Sequence, residues 1–139
     1  MPPDPDDTQQ PDTLAIRTAE DVVKVRQAVR ARAIQTGLSL VDQTKIVTAA
    51  SELARNALDY GGGGTLAMQI IDDTPRRGVR LTFEDQGPGI ADIQLALKDG
   101  YSTGTGLGLG LGGARRLCNE FSIESRVGTG TKVTVARWK

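Results

Sequence analysis

The stretch Glu84-Asp85-Gln86-Gly87-Pro88-Gly89-Ile90 combines an acidic pair with a glycine-rich turn, directly after a run in which Val79, Leu81 and Phe83 alternate with polar residues. The alternation predicts a strand that ends at the acidic pair. Glycines in such a turn let the backbone approach a ligand closely, and an ionised aspartate can accept the exocyclic amino hydrogen of adenine. Because an Asp-x-Gly-Pro-Gly turn is also common as a plain loop, the motif needs support from the rest of the chain.

The segment upstream predicts a long helix. Ser39 with Asp42 three residues later resembles a capping box, and the helix should cover about residues 40–60 and stop at the four glycines of 61–64. Steps of 100° per residue give it one apolar side, formed by Ile46, Ala49, Ala50, Leu53 and Ala57.

Glu52 and Asn56 lie one turn apart at the margin of that apolar side, so both side chains can line a cavity at the sheet edge. A carboxylate beside a carboxamide suits ATP chemistry. The carboxylate can orient or deprotonate an attacking hydroxyl, and the amide oxygen can bind Mg²⁺. Taken alone, the pair is weak evidence, because a Glu and an Asn four residues apart much more often belong to a solvated helix face.

A third motif is Gly104-Thr105-Gly106-Leu107-Gly108-Leu109-Gly110-Leu111-Gly112-Gly113, which leads into a predicted helix. Backbone N–H groups and a helix N-terminus together predict a phosphate-binding loop. The alternating leucines argue against a flexible linker, and the lack of a surrounding βαβ unit argues against a dinucleotide-binding fold. The sequence has no Gly-x-x-x-x-Gly-Lys-[Ser/Thr] motif, which excludes the P-loop class.

The remaining pattern defines the domain. Residues 1–12 hold four prolines and four aspartates and are predicted to be a disordered tail, whereas residues 13–139 form a single domain. Leu14 and Ile16, with Thr18 as a further candidate, alternate in a short edge strand. A helix should open at Glu20-Asp21 and close near Gly37, with an apolar side of Val22, Val25, Val29 and Ile34.

Alternation at residues 66–70 and 79–83 predicts a β-hairpin, and a short helix at 92–98 and strands at 121–126 and 132–138 complete the chain. The predicted fold class is therefore an α/β (α+β) two-layer sandwich, with the helices on one face of a mixed, mainly antiparallel sheet.

Composition narrows the function. Lysine plus arginine and aspartate plus glutamate each number 17, so neither nucleic acid nor a membrane surface is expected as a partner. A single cysteine and the lack of a membrane-spanning apolar run favour the cytoplasm. The absence of histidine excludes Ser-His-Asp and Cys-His catalysis, a histidine-ligated zinc site and a phosphohistidine on this chain. Cys118 is expected to be a small buried residue rather than a nucleophile.

The three motifs, in this order, resemble those of the GHKL or Bergerat-fold ATPases, which include histidine-kinase catalytic domains, Hsp90, DNA gyrase B, MutL and the anti-sigma-factor kinases. Ser51-Glu52-Leu53-Ala54-Arg55-Asn56 resembles the N box, residues 84–90 the G1 box, and residues 104–110 the G2 box with its ATP lid. Gly128-Thr129-Gly130-Thr131 resembles the late Gly-Thr segment, in which a threonine supports the adenine-binding aspartate. The likeness covers nearly everything after the tail.

Within the superfamily, the N box, the G1 box and Asp99-Gly100-Tyr101-Ser102-Thr103 are most similar to the RsbT-type serine/threonine kinases of the bacterial stressosome. The resemblance implies ATP and Mg²⁺ as ligands, Glu52 as general base, Asn56 as the Mg²⁺ ligand and Asp85 as the adenine-binding residue. The other nucleotide-binding positions that it implies are Gly87, Gly89, Gly104, Thr105, Gly106, Leu107, Gly108, Gly110 and, through a water, Thr131.

The resemblance further implies phosphorylation of a serine or threonine on a STAS-domain partner, with exchange to a PP2C-type phosphatase or another output protein of a stress-response pathway. Two alternatives remain: an anti-sigma factor of the RsbW type that also sequesters a sigma factor, and a nucleotide-gated binding switch without phosphotransfer. Two features depart from the family pattern, since residues 61–64 look loose and Gly112-Gly113 should weaken the start of the lid helix. Arg55 falls on the exposed side of its helix, where it can be solvated or touch a partner or a phosphate.

Overall fold

A computed structural model of the protein describes residues 12–73, 75–93, 97 and 110–139. In these residues the elements run β1 (Asp12–Ile16), α1 (Ala19–Gln35), α2 (Leu40–Asp59), β2 (Gly64–Asp73), β3 (Arg76–Asp85), α3 (Gly110–Arg116), β4 (Glu120–Arg126) and β5 (Gly130–Trp138). The predicted hairpin is β2–β3, and β1 begins at the last residue of the predicted tail. Most of the predicted short helix at 92–98 lies outside the described residues. Between two residues that are described, Leu97 N donates a hydrogen bond to Ile93 O.

The strands form one sheet in the order β1-β2-β3-β5-β4. All four pairings between neighbours are antiparallel, so the part of the chain that the structure describes has no parallel pair, although the prediction allowed for a mixed sheet. β1 pairs with β2 alone and is the expected edge strand. The helices α1 and α2 pack against each other and against the sheet, which gives the predicted two layers.

The start of α1 is set by a capping box that the sequence interpretation missed. Thr18 is the N-cap, its hydroxyl accepts from Asp21 N at 3.3 Å, and the Asp21 carboxylate accepts from Thr18 N at 3.1 Å. At the start of α2 only half of the predicted box forms. Ser39 Oγ accepts from Asp42 N at 3.1 Å, but the Asp42 carboxylate binds Arg137 of β5 instead of the cap.

Burial confirms the predicted apolar side of α2, whose five residues are at most 3% exposed. The prediction for α1 is wrong at one position, because Ile34 is 58% exposed and Ala33 is buried in its place. Val25, Val29 and Ala33 follow one another at steps of four residues, and Ile34 lies about 100° round the helix from that side. No helix in the described residues is long and apolar enough to span a bilayer.

Cys118 is partly buried against the core, in agreement with the prediction. Loss of water around the thiol raises its pKa to about 12, against a smaller lowering effect of Arg137. Because the thiolate is the nucleophilic form, the sulfur stays protonated and unreactive at neutral pH.

Candidate functional site

A cavity of about 480 Å³ lies between the second half of α2, the end of β3 with its following turn, the start of α3, and β5. This volume is within the usual range for small-molecule sites, roughly 300–1,000 Å³. The structure brings six of the predicted site residues together in its wall: Glu52, Asn56, Asp85, Gly89, Gly110 and Thr131. The predicted positions 104–108 lie outside the described residues.

The cavity has an apolar side and a polar, solvent-facing side. Leu53, Phe83 and Val133 contribute buried side chains to its wall. Exposed Arg55 and Asp59 of α2 line it where it meets solvent. An apolar wall beside a few polar groups suits a flat heterocycle attached to a charged group.

Asp85 ends β3 and is paired in register with Gly64 of β2 and Thr131 of β5. Its Oδ1 accepts a hydrogen bond from Gly87 N at 3.0 Å. Gly87 is not in the cavity wall, although it was predicted to hold nucleotide. It lies behind Asp85 and holds the carboxylate by its backbone N–H.

Gly61 is a second residue that positions Asp85, and the sequence interpretation did not single it out. A Cβ at Gly61 would lie 2.4 Å from Asp85 Cγ, and a Cβ at Gly87 would lie 2.6 Å from Gly61 Cα. The sequence predicted a loose run at 61–64, but Gly61, Gly63 and Gly64 are tightly packed, and only Gly62 is open to solvent. Gly62 and Gly63 also adopt positive φ of 72° and 109°, which lets the chain turn from α2 into β2.

Gly112 and Gly113 lie inside α3, which begins at Gly110. Their weakening effect on the start of the lid helix stays a prediction. Gly112 is buried there. The helix α3 packs beside α2.

The turn after β3 is tied to the β4–β5 turn. Gly128 N donates to Pro88 O at 2.8 Å, and Ile90 N donates to Ser125 Oγ at 2.7 Å. Gly89 has a φ of 78°, and a Cβ there would lie 2.2 Å from Arg126 O. Only glycine fits at this position. The two hydrogen bonds hold the turn after β3, which lines the cavity, against β4 and the β4–β5 turn.

Thr131 lines the cavity, and its hydroxyl oxygen lies 2.8 Å from Ser125 Oγ. Ser125 was missed by the sequence interpretation, because a serine near the end of an alternating strand carries no motif or spacing that marks it. Its importance depends on contacts with residues distant in sequence.

The cavity wall includes the polar side chains of Glu52, Arg55 and Asn56 of α2. Among the residues that the structure describes, no hydrogen bond or ion pair engages the side chains of Glu52, Arg55 or Asn56. Open carboxylate and amide oxygens are hard donors that fit Mg²⁺ held jointly with the phosphates of a ligand, and the Asp85 carboxylate fits an amino-bearing heterocycle. The donor set thus fits ATP with Mg²⁺.

Comparison with known proteins agrees with this geometry. Residues 41–139 match the family model described as histidine kinase-, DNA gyrase B-, and HSP90-like ATPase. The chain belongs to this ATPase family. The predicted resemblance to the GHKL ATPases is thereby confirmed.

Two relatives of this ATPase family member are informative. The chain is 45% identical over 125 residues to the serine/threonine-protein kinase RsbT of Bacillus subtilis (strain 168), covering 90% of this chain and 94% of that one. It is also similar to the crystal structure of the RsbU and RsbW domains of Rv1364c from Mycobacterium tuberculosis, with a TM-score of 0.65 and 24% identity. That match covers 92% of this chain and 32% of the other, and it concerns the fold alone.

Proposed function

We propose that this protein is an ATP-dependent serine/threonine kinase of the RsbT type, which transfers the γ-phosphate of ATP to a hydroxyl of a partner protein. The observation that carries the proposal is the pair Glu52 and Asn56 on one face of α2, open to a cavity that Asp85 also lines. The 45% identity to a serine/threonine kinase over nearly the whole of both chains supports the same activity.

Three polar groups of the cavity have a direct role in this proposal. The Asp85 carboxylate accepts the exocyclic amino hydrogen of adenine, and the Asn56 amide oxygen holds Mg²⁺. Mg²⁺ bound there would neutralise the charge that develops on the phosphates. Glu52 orients the incoming serine or threonine hydroxyl and, as the general base, takes up its proton. This role requires the hydroxyl to lie within hydrogen-bond reach of the carboxylate.

The glycines hold the backbone close to the ligand. Gly89 and Gly110 lie in the cavity wall, and their lack of side chains leaves room for phosphate or base against the main chain. We assign Gly104, Thr105, Gly106, Leu107 and Gly108 to the same phosphate-binding role, as the resemblance to the G2 box implies. Gly87 contributes by holding Asp85.

The substrate in this proposal is a serine or threonine of a STAS-domain protein in the cytoplasm. Its phosphorylation would release the kinase to a PP2C-type phosphatase or another output protein of a partner-switching pathway. Exposed Arg55, Asp59 and Tyr60 line the same cavity as Glu52, and we assign the approach of the substrate loop to this side.

The test is phosphate transfer from γ-labelled ATP with Mg²⁺ to purified STAS-domain proteins of the same organism. Glu52→Gln should lower the labelling rate by about 10²–10⁴-fold, the usual contribution of a general base, while nucleotide affinity stays within about threefold. Asp85→Asn should instead abolish nucleotide binding, because a carboxamide in place of the carboxylate turns one acceptor into a donor. Glu124→Gln, on the exposed side of β4, is the matched control and should change neither quantity.

The outcomes separate the alternatives. Label on a STAS serine or threonine that Glu52→Gln abolishes supports the kinase. Nucleotide binding without label on any STAS protein overturns it in favour of a nucleotide-gated binding switch. In that case, capture of a sigma factor by the ATP-bound protein would distinguish an RsbW-type anti-sigma factor from other binding switches.

A further inference from the structure

Ser125 lies on β4, behind the cavity wall, and its hydroxyl makes three contacts. It accepts from Ile90 N at 2.7 Å, it lies 3.2 Å from the carbonyl oxygen of Gly130, and it lies 2.8 Å from Thr131 Oγ1. Ile90 and Thr131 line the cavity on two different segments. One hydroxyl therefore joins the turn after β3 to the first residues of β5.

The single hydrogen of the Ser125 hydroxyl determines which of these contacts Ser125 donates and which it accepts. A serine hydroxyl has one hydrogen and two lone pairs. All three contacts are made when Ser125 donates to Gly130 O and accepts from both Ile90 N and the Thr131 hydroxyl. If Ser125 donated to Thr131 instead, the contact with Gly130 O would have no hydrogen and would be lost. The first arrangement is the one that satisfies every partner.

This arrangement sets the polarity of Thr131. Its only hydroxyl hydrogen points to Ser125, so Thr131 presents lone pairs, and no donor, to the cavity. Asp85, its partner across the β3–β5 pairing, is an acceptor as well. Two neighbouring acceptors match a heterocycle that carries an amino group and repel one that presents a carbonyl oxygen at the same position.

We infer that Ser125 is a positioning residue for base selection, which keeps the Thr131 hydroxyl as an acceptor and so makes the cavity prefer 6-amino over 6-oxo purine nucleotides. The inference rests on the proposed ATP site. It concerns a residue that does not itself line the cavity and that acts through Thr131 and Ile90.

The experiment measures the dissociation constants of ATP and GTP, each with Mg²⁺, for the wild type and three variants. Ser125→Ala frees the Thr131 hydrogen to turn into the cavity, so ATP should bind about tenfold more weakly and the ratio of GTP to ATP dissociation constants should fall at least fivefold. Ser125→Thr keeps the hydroxyl, on a β-branched side chain that suits a strand. It should keep the wild-type ratio of GTP to ATP dissociation constants. Ser122→Ala, on an exposed residue of the same strand, should leave both constants unchanged.

A purely structural role predicts a different result, namely that Ser125→Ala weakens ATP and GTP by the same factor. That result, or an unchanged ratio, would overturn the inference. If Ser125→Ala does not fold, Thr131→Val removes the same acceptor from the wall and must reduce the ratio in its place. Failure of the wild type to bind either nucleotide would contradict the proposed function itself, which keeps the two failures distinct.

Discussion

The two ends of α2 use polar residues in opposite ways. Near its start, Asp42 binds Arg137 of β5 through two hydrogen bonds of 2.7 and 3.1 Å, and both side chains are less than one-fifth exposed. In its second half, Glu52 and Asn56 face the cavity and have no side-chain partner among the described residues.

The difference separates stability from binding on a single helix. A polar group that is paired inside the protein adds to the free energy of unfolding, because it loses a partner when the chain unfolds. A polar group that faces a cavity without a partner adds little to folding but keeps its full hydrogen-bonding capacity for a ligand. We therefore expect substitutions at the start of α2 to change stability, and substitutions at its end to change nucleotide binding.

Among the substitutions that test this comparison, Gly61→Ala, at the cavity end, should have the largest effect. The new methyl group would lie 2.4 Å from Asp85 Cγ and 2.8 Å from Ala57 O, so the carboxylate must move. We expect ATP affinity, measured by titration, to fall about 100-fold, the size of effect that loss of a good charged hydrogen bond produces. Overpacking should also lower the free energy of unfolding by about 1–3 kcal/mol in urea.

Gly62→Asn is the control for this prediction. Gly62 has a φ of 72°, which asparagine tolerates, and no atom lies within 4 Å of a Cβ at this position. It should lower stability by about 1 kcal/mol or less and leave ATP affinity within threefold. If Gly61→Ala bound ATP as tightly as this control, Asp85 would not depend on the packing of Gly61.

An intermediate effect is expected at the other end of the helix, from Asp42→Asn. The substitution removes the charge that pairs with Arg137, and it should lower the free energy of unfolding by about 2 kcal/mol in urea. ATP affinity should stay within twofold, since the pair is not part of the cavity wall.

Asp72→Asn tests the same chemistry on the surface. Asp72 lies 3.8 Å from Arg77, and both side chains are more than half exposed, so its loss should cost less than about 0.5 kcal/mol. If Asp42→Asn weakened the free energy of ATP binding by as much as it lowered the free energy of unfolding, the two ends of α2 would not be independent.

Local patterns predicted the parts of the fold that depend on neighbours in sequence. The apolar side of α2 and the β2–β3 hairpin follow from periodicity, and both are confirmed. The family motifs likewise pointed to Glu52, Asn56 and Asp85, which the structure brings to one cavity, while their roles stay predictions.

Contacts between distant segments could not be predicted in the same way. Asp42 and Arg137 are 95 residues apart, and Ile90 and Ser125 are 35 apart. No periodicity or spacing marks such pairs. For the same reason the Asp42 side chain was assigned to its own helix cap, and Gly61 and Gly64 were expected to be loose although Asp85 packs against both.

The smallest effect is a change with pH in the contribution of Asp42. The hydrogen bond from Arg137, with smaller help from Ser39, lowers the pKa of Asp42 below its ordinary value of 3.8 and outweighs the opposing effect of burial. The unfolded chain therefore takes up this proton at a higher pH than the folded protein does. The stabilisation is complete above the unfolded pKa and is lost as pH falls through the folded pKa.

The measurement is the free energy of unfolding of the wild type and of Asp42→Asn at a series of pH values from 7 to 3. The difference between the two proteins should stay constant down to about pH 5 and then narrow, because Asn cannot titrate while Asp42 becomes protonated. The pKa of Asp21 is also lowered, by hydrogen bonds from the backbone of Arg17 and Thr18, but that carboxylate is present in both proteins and cancels in the difference. A difference that persists unchanged at pH 3 would mean that asparagine disturbs packing at the start of α2, and that the charge of Asp42 is not what stabilises this end of the helix.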